Sequence, residues 1–294
     1  PGFQMTWYEI GANGMVTAFH GVTDNVPAGG DEGTDSFTSI ERVEFADVTL
    51  DVAQPVQLFD ASDDLIGTFS TIQEAVDASA DGHHVRVSAG TYNENVVVDK
   101  DITIEGIGEA NIVGTFRSDN SVPSGTTVGE FLQTATSYSG AAGGGMTVAA
   151  DGVTLTNLNI SAFLHGVSFA GVSGLTLNQI DISDSVYGIA KLNDGDATIF
   201  RMNGGSIVDS YQGFTVDSTG LAGATFDDVI LDGVTFEDLT EKGFYADHLS
   251  NAQLLNLVMN NVGEFGRGPA FGPASQTGEF GAGIDINVKY GDYE

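Results

Sequence analysis

Six pairs of glycine followed by an apolar residue run through the second half of the chain: Gly145-Met146, Gly166-Val167, Gly188-Ile189, Gly213-Phe214, Gly243-Phe244 and Gly283-Ile284. They are 21, 22, 25, 30 and 40 residues apart. A spacing in the twenties that stretches by insertion predicts a chain wound turn upon turn. Each turn then buries its apolar face only against its neighbours. A second register runs beside the first and reads apolar-x-apolar-x-corner-apolar-x-apolar. It occurs at Val153 to Ile160, Leu175 to Ile182, Val229 to Phe236 and Ala252 to Met259, with Asn157, Gln179, Gly233 and Asn256 as corners. Alternation of period two predicts strands. Small and amide corner residues tolerate left-handed backbone, and amides can hydrogen-bond down a column.

Charge restricts the partners. The chain has 41 acidic and 9 Lys or Arg residues, a formal charge of -32. This argues against nucleic acid and anionic lipid, whose phosphates need basic residues to replace their counterions. It favours solvated surfaces, divalent cations such as calcium, or a salty exterior. Without cysteine, disulfides, thiol catalysis and thiolate metal sites are excluded. No apolar run reaches the roughly 20 residues that span a bilayer, so no membrane insertion is expected. The chain starts at Pro1 with no signal peptide and stops soon after the turn that begins at Gly283. It is read as a piece that continues beyond Glu294, or as a unit completed by a neighbour.

Residues 1–60 read as a small separate β region. Strands are predicted from the alternation in Phe3 to Ile10 and Val43 to Leu50, with an acidic glycine-rich loop between them. Residues 61–294 carry the winding. A short helix is expected at 70–82, capped by Ser70 or Thr71 with Gln73 or Glu74 reaching back. Ile72, Ala75, Val76 and Ser79 fall on its inner face. Its place before the first turn suits it to cover open strand edges there. Two insertions, 114–145 and 260–282, read as loops.

The run from Ser70-Thr71-Ile72-Gln73-Glu74-Ala75-Val76-Asp77 through Ser88-Ala89-Gly90-Thr91-Tyr92-Asn93-Glu94-Asn95-Val96 to Ile102-Thr103-Ile104-Glu105-Gly106 resembles the opening of pectin-lyase-like proteins. The resemblance implies an all-β fold, the right-handed parallel β-helix (a solenoid), with these residues as its cap and first coil. That superfamily spans pectate lyases, pectin methylesterases, mannuronan epimerases, tailspikes and adhesins, so the resemblance does not choose a reaction. Thr34 to Asp47 resembles the segment flanking calcium-binding repeats in repeats-in-toxin proteins. This implies type I secretion from a bacterium, although the Gly-Gly-x-Gly-x-Asp nonapeptide is absent.

If the apolar residue after each glycine points inward, alternation sends the next one outward. Thr215, Tyr245 and Asp285 then form one column and Asp217, Asp247 and Asn287 the next. Aspartates one turn apart repel. A calcium ion between Asp217 and Asp247, or a proton retained on one of them, would relieve this. Asp217, Asp247, Asp285 and His248 are accordingly the candidate acid and base groups. Tyr245, Asn287 and three residues of the second insertion, Glu264, Arg267 and Glu279, are the candidate sugar contacts. His83-His84 is a metal pair without a third ligand, and His165 is placed at a corner. The Asp-Pro-His-Glu motif of the epimerases, the Arg-x-Pro-x-x-Arg of pectate lyases and the Gly-x-x-Asp-Phe-Ile-Phe-Gly of pectin methylesterases are missing. The leading expectation is therefore an extracellular structural or adhesive module of a large bacterial surface or matrix protein. It would associate through the ends of its solenoid or hold polysaccharide. A polysaccharide lyase, epimerase or hydrolase, or a carbohydrate-binding module without turnover, is the alternative.

Overall fold

The computed structural model describes residues 3–11, 15–24, 34–44, 49–135, 143–192, 195–216, 224–263 and 281–287. Strands make up 57% and helices 7%, so the class is all-β. Two sheets dominate. A seven-strand parallel sheet stacks Val96–Val98, Gly144–Val148, His165–Phe169, Tyr187–Lys191, Gln212–Val216, Lys242–Ala246 and Ala282–Ile286 in chain order. A thirteen-strand sheet begins with the antiparallel strands Val56–Phe59 and Leu65–Phe69. It continues in parallel through His84–Tyr92, Thr103–Val113 and Thr154–Ser161, then divides into two rows. From Thr154 on, each repeat places strands in the long sheet and then one in the seven-strand sheet. The six residues that follow the repeated glycines stand in register, Met146 with Val167, Ile189, Phe214, Phe244 and Ile284.

The glycines are small because two neighbours claim the space. A Cβ on Gly166 would lie 2.5 Å from Ile182 Cγ2 and 2.7 Å from the carbonyl oxygen of Gly188. Gly145, Gly188, Gly213 and Gly243 meet the same pair of obstacles. The obstructing side chains, Ile160, Ile182, Ile207, Phe236 and Met259, form one in-register column of the long sheet. The two sequence registers are thus two sides of one packing problem, in which the glycine strand recedes so that a branched or aromatic side chain fills the interior. One apolar cluster runs continuously from Val56 to Ala246. Each of its fully buried aliphatic or aromatic side chains stabilises the fold by about 1.5–3 kcal/mol.

Asn157, Gln179, Gly233 and Asn256 all adopt positive φ, between 51° and 70°, as the corner pattern requires. The corner Asn256 donates its amide to Asp232 of the preceding turn at 2.7 Å, while amide-to-amide bonds lie on outward neighbours, Asn159 to Asn111 at 3.0 Å and Asn203 to Asn178 at 2.8 Å. A second left-handed column breaks the residue preference. It holds Ile199 (φ 57°), Asp228 (φ 54°) and Asn251 (φ 46°), which lie between positions paired across adjacent strands. Left-handed backbone costs an L-residue roughly 1–2 kcal/mol, and Asn far less than a β-branched residue. Ile199 is 45% exposed and has little packing to lose. Ile199→Asn is expected to raise the unfolding free energy by about 1 kcal/mol, measured by urea denaturation. A loss of stability would show that the isoleucine's contacts outweigh its strain.

Helix α1 (Ile72–Ala78) has Thr71 as its N-cap in a capping box with Glu74 and buries Ile72, Ala75 and Val76. The Glu94 carboxylate takes the N–H groups of Ile72 and Gln73 at 2.9 and 3.0 Å. Gln73 then does the work of a missing strand. Its side-chain oxygen accepts the Val97 N–H at 2.7 Å and its amide donates to the Val97 carbonyl at 3.3 Å. The first edge of the seven-strand sheet is closed in this way. The 114–145 insertion, read as a loop, contains α2 (Phe116–Asp119) and α3 (Val128–Thr134). They share a small core, Phe116, Val128 and Leu132, with Val186 and Tyr211 of the repeats. Arg117 fixes this insertion by pairing with Asp184 at 2.5 Å, and Asp184 also accepts the Val128 N–H at 2.9 Å.

In the N-terminal part, Phe3–Ile10, Val16–Asp24 and Thr34–Ile40 form an antiparallel sheet. The run predicted as one strand at 43–50 is instead a hairpin, in which Arg42–Glu44 pairs with Thr49–Asp51. Alternation persists on both arms, which is why the sequence does not reveal the reversal. Gln57 ties this region to the long sheet, exchanging two 2.9 Å hydrogen bonds with the Val16 backbone.

Candidate functional site

The outward face of the seven-strand sheet becomes polar and charged toward its last strands. Register aligns Thr215, Tyr245 and Asp285, as the glycine count requires. The next outward position holds Asp247 and Asn287, whose backbone N–H groups bond to Val216 and Ala246 of the preceding strands at 3.3 and 2.8 Å. Tyr245, Asp247, Asp285 and Asn287 are therefore gathered at one end of one face, and His248 follows Asp247 in the chain. Asp217, Glu264, Arg267 and Glu279 lie outside the described residues.

This face is covered rather than open. Asp247 is 2% exposed, and His248 and Thr215 are also buried. Asp285 and Asn287 are half-buried. The Tyr245 hydroxyl donates to Asp247 Oδ1 at 2.5 Å. The Lys242 ammonium pairs with Asp285 at 2.5 Å and lies 4.0 Å from the centre of the Tyr245 ring. Gln212 donates to Glu241 and accepts from the Thr215 hydroxyl at 2.7 Å. Glu241 is 2% exposed. Buried charges persist only when paired and hydrogen-bonded, and here one ammonium, a phenol and an amide serve three carboxylates. Chemically, a phenol bonded to a buried carboxylate can pass a proton in either direction. The lysine beside them would neutralise an anionic ligand once Asp285 released it.

Glu241, Lys242 and Gln212 were not anticipated. For Gln212 and Lys242 a signal is present, since one further column lies just before the glycines: His165, Tyr187, Gln212 and Lys242 precede Gly166, Gly188, Gly213 and Gly243. Counting only forward from the glycine passes over them. His165 opens the strand His165–Phe169 rather than turning a corner, and its ring lies 5.4 Å from that of Tyr187. Burial pushes the His165 imidazole down to about 4, below its ordinary value near 6.5. The unfolded chain therefore takes up the proton first. Stability from this group is complete above pH about 6.5 and is lost as pH falls toward 4, by at most about 1.4 kcal/mol per pH unit. Comparing urea midpoints of the wild type and His165→Gln between pH 7 and 4 checks this. The two curves should converge at low pH, and parallel curves would refute it.

Elsewhere His84 contacts Glu105 at 3.2 Å while His83 accepts the Ala80 N–H, so the two histidines are engaged separately. Burial, followed by the Arg86 charge, lowers the His84 pKa against the pull of Glu105. Asp184, Asp209 and Asp238 occupy successive left-handed corners. Burial, reinforced by Asp238 and Asp184, raises the Asp209 pKa. Among the described residues no three His, Asp or Glu side chains form a metal-binding group. None of the described helices is long and apolar enough to cross a membrane. No protein-family model, curated protein or solved structure matches the chain.

Proposed function

We propose that the chain is a right-handed parallel β-helix of the pectin-lyase-like kind, a stiff extracellular module of a large bacterial surface or matrix protein delivered by type I secretion. The observation that carries this is the unbroken register of the seven-strand sheet. Its six steps of about 4.8 Å set the first and last strands about 29 Å apart. A stack that contacts only its neighbours resists bending and transmits load along its axis. The charge of -32 keeps such a rod solvated, and calcium screens its acidic faces.

The buried pairing of Tyr245 with Asp247 and Lys242 with Asp285 favours a second reading, a site for an acidic polysaccharide. Incubating the intact protein with alginate, pectate and host polysaccharides, with and without calcium, separates the two. Product unsaturation and chain length are followed. Unchanged polysaccharide is expected of the structural module. Turnover that disappears in Asp247→Asn, with wild-type circular dichroism, would overturn the first reading in favour of the second.

A further inference from the structure

Without cysteine the chain has no disulfide to join its strands covalently, yet one pair of side chains is placed to do so by other means. Lys242 opens the strand Lys242–Ala246, and Asp285 lies in Ala282–Ile286, the next strand of the seven-strand sheet. Register sets Lys242 beside Ala282 and Tyr245 beside Asp285, so the lysine stem runs along its own strand to reach the acid. Its Nζ stands 2.5 Å from Asp285 Oδ2 and 4.0 Å from the centre of the Tyr245 ring, whose face attracts a cation. The ring is itself held, because its hydroxyl donates to the buried Asp247. The side chain of Lys242 is 9% exposed and that of Asp285 27%. The other described lysines differ. Lys100 meets Asp99 at 3.0 Å, but the two are adjacent in the chain and Asp99 is 60% exposed. Lys191 donates to a backbone carbonyl, that of Gly195.

We infer that Lys242 and Asp285 condense into an amide, an isopeptide bond between two neighbouring strands of the sheet. The ammonium passes one proton to the carboxylate along the contact. The neutral amine then attacks Cγ of Asp285, which is one bond from the oxygen already touched. An N–C bond forms and a C–O bond breaks. The hydroxyl leaves as water with a second proton from the nitrogen, and the third stays on the amide. No oxidant or co-reactant is consumed. Two features favour the step. Strand pairing and the Tyr245 ring hold the partners together, and well-oriented groups on one molecule react as if at about 10⁵ M or more. Condensation also removes two opposite charges from a buried place, where each is costly to keep out of water. The bond would tie the strand before the second insertion to the strand after it. It would consume the ammonium that the polysaccharide reading uses, and so belongs with the structural module. The inference draws on the pairing of two strands and stands whether or not the stack is a rod.

Intact-mass spectrometry of the purified full chain tests this. The mass is expected to fall about 18 Da, one water, below that of the sequence. Trypsin cleaves after Arg201, Lys242, Arg267 and Lys289. An acylated Lys242 resists cleavage, so a branched peptide joining residues 202–267 to 268–289 is expected in place of separate ones. Lys242→Arg keeps a positive charge beside Asp285 but supplies no amine that condenses, and Asp285→Ala removes the acid. Each should restore the full sequence mass, and circular dichroism checks that each folds. Where a variant does not fold, the wild-type branched peptide decides. A wild type at its full sequence mass overturns the inference. So does a loss of water that persists in Lys242→Arg, because cyclisation of an aspartyl peptide elsewhere gives the same mass. A free Lys242 would sink the bond alone and leave both functional readings standing.

Discussion

Gly213→Ala is expected to destabilise the protein by about 3 kcal/mol or more, enough to lose the cooperative urea transition or shift it far downward. The new methyl group would lie 2.2 Å from the Gly243 carbonyl oxygen, 2.7 Å from Phe236 Cδ1 and 3.0 Å from Leu239 Cδ1. The first obstacle is backbone held by strand pairing on both sides, and the others are fully buried. No side-chain rotation clears all three. Gly283→Ala is the matched control. It occupies the same place in the motif, but its nearest obstacle is Met259 Cγ at 3.7 Å, an ordinary contact. It should change stability by less than about 0.5 kcal/mol. Equal effects at the two positions would show that the glycines are kept for something other than close stacking.

The second large effect is expected at Phe200, 1% exposed. Its ring stacks on Phe169 with centroids 5.3 Å apart and meets Phe214 at 5.2 Å and Phe226 at 5.5 Å. These rings come from successive repeats and both sheets, so they join the two walls. Phe200→Ala removes the shared ring and leaves a cavity, at a cost of about 3–5 kcal/mol. Because repeats contact only their neighbours, the damage should be regional. Amide hydrogen exchange is expected to accelerate in the strands from His165–Phe169 to Phe226–Asp232. The first strands, Val56–Phe59 and His84–Tyr92, should keep their protection. Uniform acceleration along the chain would show that the stack unfolds as one unit.

The first of these effects follows from a feature written plainly in the sequence, whereas the ring cluster around Phe200 emerges only from the fold. The glycine spacing gave the register of one sheet, and the corner amides gave the left-handed turns. The Thr71 to Glu74 pattern gave the helix. Each is a local rule repeated often enough to be unambiguous. Features that depend on distant partners were hidden. Helix α3 spans seven residues and buries Val128 and Leu132 against Val186 and Tyr211, side chains more than 50 positions away, although Thr127 and Glu130 form a capping box. The hairpin at Arg42–Glu44 and Thr49–Asp51 was masked by continuous alternation. In the site, alternation placed Tyr245 beside Asp285 but could not show that Lys242 would occupy Asp285 or that Asp247 would be buried. Outwardness in a strand fixes a face, and what later covers that face is decided elsewhere in the chain.

The connection from the seven-strand sheet back to the long sheet varies in length from turn to turn. It takes six residues between Phe169 and Thr176, five between Lys191 and Ala197, nine between Val216 and Phe226 and three between Ala246 and Ser250. The strands on either side keep their partners throughout. Length is thus uncoupled from fold at this junction, and a foreign peptide spliced there would be displayed at intervals fixed by the backbone beneath it. The same freedom lets such a chain acquire new recognition loops without redesigning its interior.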